Sequence, residues 1–222
     1  LGCAEVSLDP PGDCALCARL AAYRMENQQS NPDWFNGAVA GFGDATAPLL
    51  IVGLAPGLSG ANRTGRPFTG DYAGDLLYET LADFGFSDGR YDRRPDDGLA
   101  LRHCRITNAV RCVPPKNKPT GEEIRTCRRF LVAELSRRPA PRAVLALGRV
   151  AHDSILTALD LRRAHHPFSH CARHPLGDGR VLFDSYHCSR YNTNTGRLTP
   201  EMFAAVFQAI RRELDDLELT PS

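Results

Sequence analysis

Two loops of this chain hold residue types that can do chemistry together. The first reads Gly53-Leu54-Ala55-Pro56-Gly57-Leu58-Ser59-Gly60-Ala61-Asn62-Arg63-Thr64-Gly65-Arg66-Pro67-Phe68-Thr69-Gly70-Asp71-Tyr72-Ala73-Gly74. Its repeated glycines permit tight turns and let backbone amides approach a ligand or a phosphate closely. It has neither the Gly-Lys-Ser/Thr of a Walker loop nor dinucleotide-fingerprint spacing, which disfavours nucleotide triphosphate hydrolysis. Phe68 reads as a ring stacking on a planar ligand or as core packing. Asp71 reads as a carboxylate acting on a proton or a developing positive charge, or as a helix N-cap. The second loop runs from Ser185 to Gly196 and supplies His187 and Asn192, while Asn108 lies at the end of a β-type run. An amide has donor and acceptor faces, which suits it to reading the edge of a base. Singly, each of these residues also fits a turn or a strand cap; their convergence on one sheet edge points to a site.

The cysteines form a second constellation. Cys14-x2-Cys17 lies near the N-terminus, Cys112 precedes Pro114-Pro115, and Cys127 follows 15 positions later, with Cys3, Cys104, Cys171 and Cys188 left over. That spacing matches neither a zinc ribbon half nor a ferredoxin run. Four thiolates from three places fit an iron–sulfur cluster or a zinc ion, and the chemistry alone also admits no metal.

The elements that must position these loops follow from periodicity. Leu49 to Leu54, Arg105 to Val110, Ala143 to Leu147 and Val181 to Ser185 are short apolar runs that predict strands. Between them lie helical patterns: one with Leu76, Leu77, Leu81 and Phe84, one from Gly121 to Leu135 behind a Thr120/Glu123 capping box, and one after Gly148. A last helix begins at Thr199-Pro200. Apolar strands alternating with helices predict an α/β fold, three layers α/β/α around a parallel sheet. In such sheets the working residues sit beyond the carboxyl ends of the strands, where both loops belong.

With 222 residues, 27 basic and 26 acidic, the chain has a net charge of +1, so total charge advertises no nucleic acid. One domain, 1–222, is the expectation, with a cysteine-bearing segment at about 10–30. The stretch Arg102 to Arg129 holds eight basic residues against Glu122 and Glu123, either a solvated face or a patch for an anionic partner. No apolar run is long enough to span a bilayer. No secretory signal order stands at the N-terminus, so a reducing cytoplasm is expected, where clustered cysteines mean metal or catalysis more often than disulfides.

Four separated stretches, Gly-Leu-Ala-Pro-Gly (53–57), Gly-Arg-Pro-Phe-Thr-Gly-Asp-Tyr-Ala-Gly (65–74), Ile-Thr-Asn-Ala-Val-Arg-Cys (106–112) and Ser-Tyr-His-x-Ser-x-x-Asn-Thr-x-Thr-Gly-Arg-Leu-Thr (185–199), together resemble the family 5 uracil-DNA glycosylases, in order from Cys14 to Thr199. The resemblance implies a four-stranded parallel sheet and a [4Fe-4S] cluster on Cys14, Cys17, Cys112 and Cys127. It implies Asp71 as catalytic carboxylate with His187 assisting, and Phe68 as stacking platform. Asn108, Gly53 and Ala55 would form the base pocket, Asn192 would be a further pocket or DNA contact, and Gly57, Gly60, Ser189 and Asn194 would meet DNA. The activity implied is removal of a flipped uracil, with hypoxanthine, xanthine and alkylated cytosines also allowed, by a cytoplasmic, nucleoid-associated monomer. A non-catalytic iron–sulfur nucleic-acid binder or redox sensor is the rival reading, and a zinc-stabilised hydrolase a third.

Two departures stand out. Cys188 occupies a position where the family carries Pro, and is either a small apolar filler or a reactive thiolate beside His187. His170-Cys171 stands where a His-Gly pair is usual, which leaves that turn without its glycine.

Overall fold

The four predicted strands form the centre of a larger sheet in the computed structural model, which describes residues 7–218. Cys3 lies outside the described residues. In chain order the elements are α1 (Ala18–Ser30), β1 (Phe42–Gly43), β2 (Leu49–Gly53), α2 (Ala61–Thr64), α3 (Tyr72–Asp83), β3 (Ser87–Asp88), β4 (Ala100–Leu101), β5 (Cys104–Asn108), α4 (Gly121–Ser136), β6 (Ala143–Leu147), α5 (Arg149–Ala158), β7 (Arg173–Pro175), β8 (Val181–Ser185), α6 (Arg190–Asn194) and α7 (Pro200–Glu218). The sheet order is β1-β5-β2-β6-β8-β7. β5, β2, β6 and β8 pair in parallel, as expected. Two short antiparallel edge strands, β1 and β7, extend the expected four to six.

Every residue of the four parallel strands is buried. One face packs Leu49, Ile51, Ile106, Leu145 and Phe183 against α3 and α7 through Leu77, Leu81, Phe203, Phe207 and Ile210. The other packs Leu50, Val52, Val144, Ala146 and Leu182 against Leu131 and Leu135 of α4 and Ile155 and Leu156 of α5. Removing this apolar surface from water, at about 25 cal/mol per Å², is what holds the three layers together. The Thr120/Glu123 capping box forms as predicted, and Thr199 Oγ1 accepts from the Met202 amide at the start of α7. No helix among the described residues is long and apolar enough to cross a membrane.

The basic stretch divides into a buried pair and a mostly exposed remainder. Arg105 and Arg111 are buried against Glu134 and Asp9, at 2.8 to 3.3 Å, and pin residue 9 to the β5 edge. Arg102 pairs with Asp88. Lys116, Lys118, Arg125 and Arg129 remain exposed.

Cys171 adopts φ +61°, the left-handed conformation for which a glycine would be usual. The strain costs a side chain about 1–2 kcal/mol, and glycine gives part of that back in unfolded-chain entropy. Cys171→Gly is therefore expected to raise stability by about 0.5 kcal/mol and Tm by roughly 1–2 °C. Calorimetry checks this; a lower Tm would mean that the exposed thiol contributes packing.

Candidate active site

The carboxyl ends of β2, β5 and β8 bound a cavity of about 390 Å³ lined by Leu54, Ala55, Pro56, Gly57, Ala61, Phe68, Asp71, Tyr72, Ala73, Asn108, Asn117, His187, Ser189 and Arg190. Gly53 and Asn108 are register partners on adjacent strands. A Cβ on Gly53 would lie 2.4 Å from Asn108 Oδ1 and 2.6 Å from the Phe68 ring, so only glycine lets this amide and this ring converge. Asn108 is buried, and its Oδ1 has no hydrogen-bond partner. A buried acceptor left bare costs about 1–3 kcal/mol unless a ligand meets it. Gly53→Ala is expected to fold yet slow the chemistry of this cavity by up to about 10²-fold, the effect of misplacing groups by an ångström. Single-turnover kinetics checks it.

Phe68 also sits at positive φ, +52°. Three contacts hold it there. Tyr91 Oη donates to the Phe68 carbonyl at 3.2 Å and accepts from the Gly70 amide, and Tyr78 Oη donates to the Pro67 carbonyl at 2.6 Å. A Cβ on Gly74 would stand 1.8 Å from the Phe68 carbonyl oxygen, so the first turn of α3 must be glycine at that point. Tyr91 comes from the polar insertion after β3, which Asp97 ties down through a bidentate pair with Arg66 at 2.8 Å. The Phe68 and His187 rings lie nearly parallel, with centroids 5.9 Å apart.

Asp71 takes up the N-cap reading and also lines the cavity. It is the N-cap of α3, with Oδ1 accepting from the Gly74 amide at 3.3 Å. Its Oδ2 rests against Gly57 and Gly60, where a Cβ would come within 2.9 and 2.3 Å. Burial pushes its pKa above the ordinary carboxylate value, backbone amides of Gly74 and Ala73 pull the other way, and Asp75 adds to the rise. His187 is half-buried, and desolvation brings its pKa down to about 4, so at neutral pH its imidazole is uncharged and offers one N–H donor.

The remaining expectations divide. Ala55, Gly57 and Ser189 lie in the cavity wall, and Gly60 abuts Asp71 from behind. Asn192 does not line the cavity: its Nδ2 donates to the His187 carbonyl at 2.8 Å and braces that loop. Asn194 is exposed on α6, away from the cavity lining. Cys188 is fully buried in the α3/α7-side core, and burial together with Asp71 raises its thiol pKa, a setting that favours the small apolar filler. Asn117, Tyr72 and Arg190 were not anticipated. Asn117 sits at φ +55° in the Pro-rich turn after Cys112, and its signal was the left-handed preference of Asn between prolines. The Arg190 guanidinium lies 5.2 Å over the Tyr72 ring, joining the two loops.

Cys14, Cys17, Cys112 and Cys127 meet around a second, smaller cavity with Leu20, Val110, Arg111 and Phe130. Burial raises Cys112 to about 12 and Cys127 to about 11, each raised further by the neighbouring thiols, so these groups become thiolates only with a cation among them. Four thiols lining one cavity are a donor set that suits a zinc ion or an iron–sulfur cluster. A separate group, His152, His174 and Asp184, is a closed hydrogen-bond network: His152 meets Asp184 at 2.7 Å and the His166 carbonyl at 2.9 Å, and His174 meets Asp184 at 2.9 Å.

A carboxylate, an amide, an imidazole and an aromatic ring converge on one sheet-edge cavity, and the chain belongs to the uracil DNA glycosylase superfamily, whose family model matches residues 40–211. Over 90% of its length it is 48% identical to a type-5 uracil-DNA glycosylase of Thermus thermophilus, covering 93% of that protein. Identity is 40% to the type-5 enzyme of Pyrobaculum aerophilum, over 88% of this chain and 87% of that one, and 36% to a type-4 enzyme of the same organism over 56% of this chain. Within the superfamily the chain is a member of the type-5 family.

Proposed function

We propose that this chain is a DNA repair hydrolase that flips uracil out of DNA and cleaves its N-glycosidic bond, leaving an abasic site. The observation that carries the reading is the convergence on one cavity of Phe68, Asp71, His187 and Asn108, whose amide oxygen is a hydrogen-bond acceptor. Uracil presents an N3–H donor to such an acceptor, whereas cytosine presents a lone pair there and is repelled. The flipped base stacks on Phe68.

Bond cleavage sends the shared electron pair to the base nitrogen and leaves positive charge on the sugar. Ionised Asp71 stabilises that charge and takes the proton of the water whose oxygen bonds to the anomeric carbon. Neutral His187 donates a hydrogen bond to a base carbonyl oxygen as negative charge grows there. Arg190, Lys116 and Lys118 supply the salt-dependent attraction to phosphates, with backbone of Gly57 to Gly60 and Ser189 placing the strand. Cys14, Cys17, Cys112 and Cys127 would hold a [4Fe-4S] cluster, which supplies structure rather than turnover by joining the N-terminal segment to the turn after β5 and to α4. A monomer in the cytoplasm completes the proposal.

The test is product analysis on oligonucleotides bearing one uracil, one hypoxanthine or only normal bases, single- and double-stranded. Abasic product from uracil and none from cytosine is expected, and the hypoxanthine arm sets the substrate range. Intact uracil strands with tight binding would favour the non-catalytic reading instead.

A further inference from the structure

Three arginines surround the four cysteines, and two of them have anionic partners. Arg19 donates to Glu123 at 2.7 Å. Arg111 reaches Asp9 at 2.9 Å and Glu134 at 3.3 Å, while its backbone N–H donates to Cys127 Sγ at 3.3 Å. Arg24 is different. It is 6% exposed, and its two amino groups donate to the Gly12 and Cys14 carbonyls, each at 2.5 Å. Among the described residues no carboxylate pairs with it, and its Nε–H has no partner at all.

A guanidinium cannot escape burial by losing its proton. Burying it without a counter-charge costs several kcal/mol. Geometry puts it beside the thiols: its guanidinium bonds the carbonyl of Cys14, and Leu20, one turn earlier on the same face of α1, lines the cysteine cavity. As free thiols the four cysteines are neutral and leave Arg24 bare. As cluster ligands they bring more negative charge than an iron–sulfide core neutralises, and the two demands cancel.

We infer that Arg24 is the counter-charge of the cluster held by Cys14, Cys17, Cys112 and Cys127, fixed beside it by its bonds to the Gly12 and Cys14 carbonyls. The inference rests on the cluster reading above. Its consequence is electrostatic: with the cation removed, adding an electron becomes harder and the ligand thiolates hold iron less firmly.

The experiment compares the full-length protein with Arg24→Lys and Arg24→Met, measuring iron and sulfide per chain, reduction potential by spectroelectrochemical titration, and iron release to a ferrous chelator. Arg24→Met is expected to have a more negative potential and to release iron about 10-fold faster, in the range seen for groups just outside a metal's ligands. Arg24→Lys, which keeps the charge, is expected to stay close to the parent. Equal potentials and release rates in the parent and Arg24→Met would overturn the inference and reduce Arg24 to a backbone brace. If Arg24→Met assembles no cluster, Arg24→Lys decides: a loaded lysine variant supports the charge, and an empty one assigns the role to guanidinium hydrogen bonds and overturns it. A parent protein without iron or sulfide would instead overturn the cluster reading, whatever the variants do.

Discussion

Asp71→Asn is expected to release uracil about 10²- to 10⁴-fold more slowly in single-turnover assays, the usual worth of a positioned acid or base, while binding uracil DNA as before. Asn is as good an N-cap as Asp, so α3 keeps its start. The direction of the Asp71 shift adds two checks. Its folded pKa is raised, so the fold favours the neutral acid: stability falls as pH rises from the ordinary carboxylate value through the raised one, and at pH 7 ionised Asp71 is a burden on the fold. The Asn variant should therefore unfold at the same temperature as the parent or higher at pH 7. Base release in the parent should decline as acid protonates Asp71, at a pH above the ordinary aspartate range, and that limb should vanish in the variant. Unchanged release rates would remove Asp71 from its role.

Cys112→Ala is expected to lose iron and stability together. A cluster joining Cys17 to Cys112 closes a loop of about 95 residues, and a cross-link over such a length contributes roughly 4 kcal/mol by restricting the unfolded chain. For a chain of this size that is a fall in Tm of roughly 10 °C. Cys171→Gly, which touches no proposed ligand, should keep its iron. Full iron content in Cys112→Ala, with Tm unchanged, would discard the ligand assignment.

The parallel core was legible because each of its strands is buried on both faces and so reads as an unbroken apolar run. The edge strands were not: β1 is two residues ending in Gly43, β7 is three ending in Pro175, and neither offers a pattern to detect. Helix α1 escaped notice for a different reason. Its buried positions, Leu20, Arg24 and Asn27, have helical spacing, but two of the three are polar, so periodicity of hydrophobicity cannot reveal them. The same limit explains Arg105 and Arg111. Sequence gives their charge, but not that Glu134, far along the chain, accompanies them into the interior. In the site, Asp71, Phe68, Asn108 and His187 were identifiable from type and motif. Asn192 lies in the expected loop with its amide on the His187 carbonyl instead of the cavity, because whether an amide faces a cavity or its own backbone is decided by a single rotamer.

The glycines at 53, 57, 60 and 74 form a flank of bare main chain against which Phe68, Asp71 and Asn108 are pressed. Such a flank can be altered in one direction only, since any substitution there subtracts room and none can add it. An engineer or a diverging lineage seeking a larger or differently shaped guest must therefore work at the side chains that line the pocket, such as Leu54, Ala55 and Asn117. The glycine flank is in this sense a frozen part of the scaffold, and the evolvable surface of the enzyme is a handful of other lining positions.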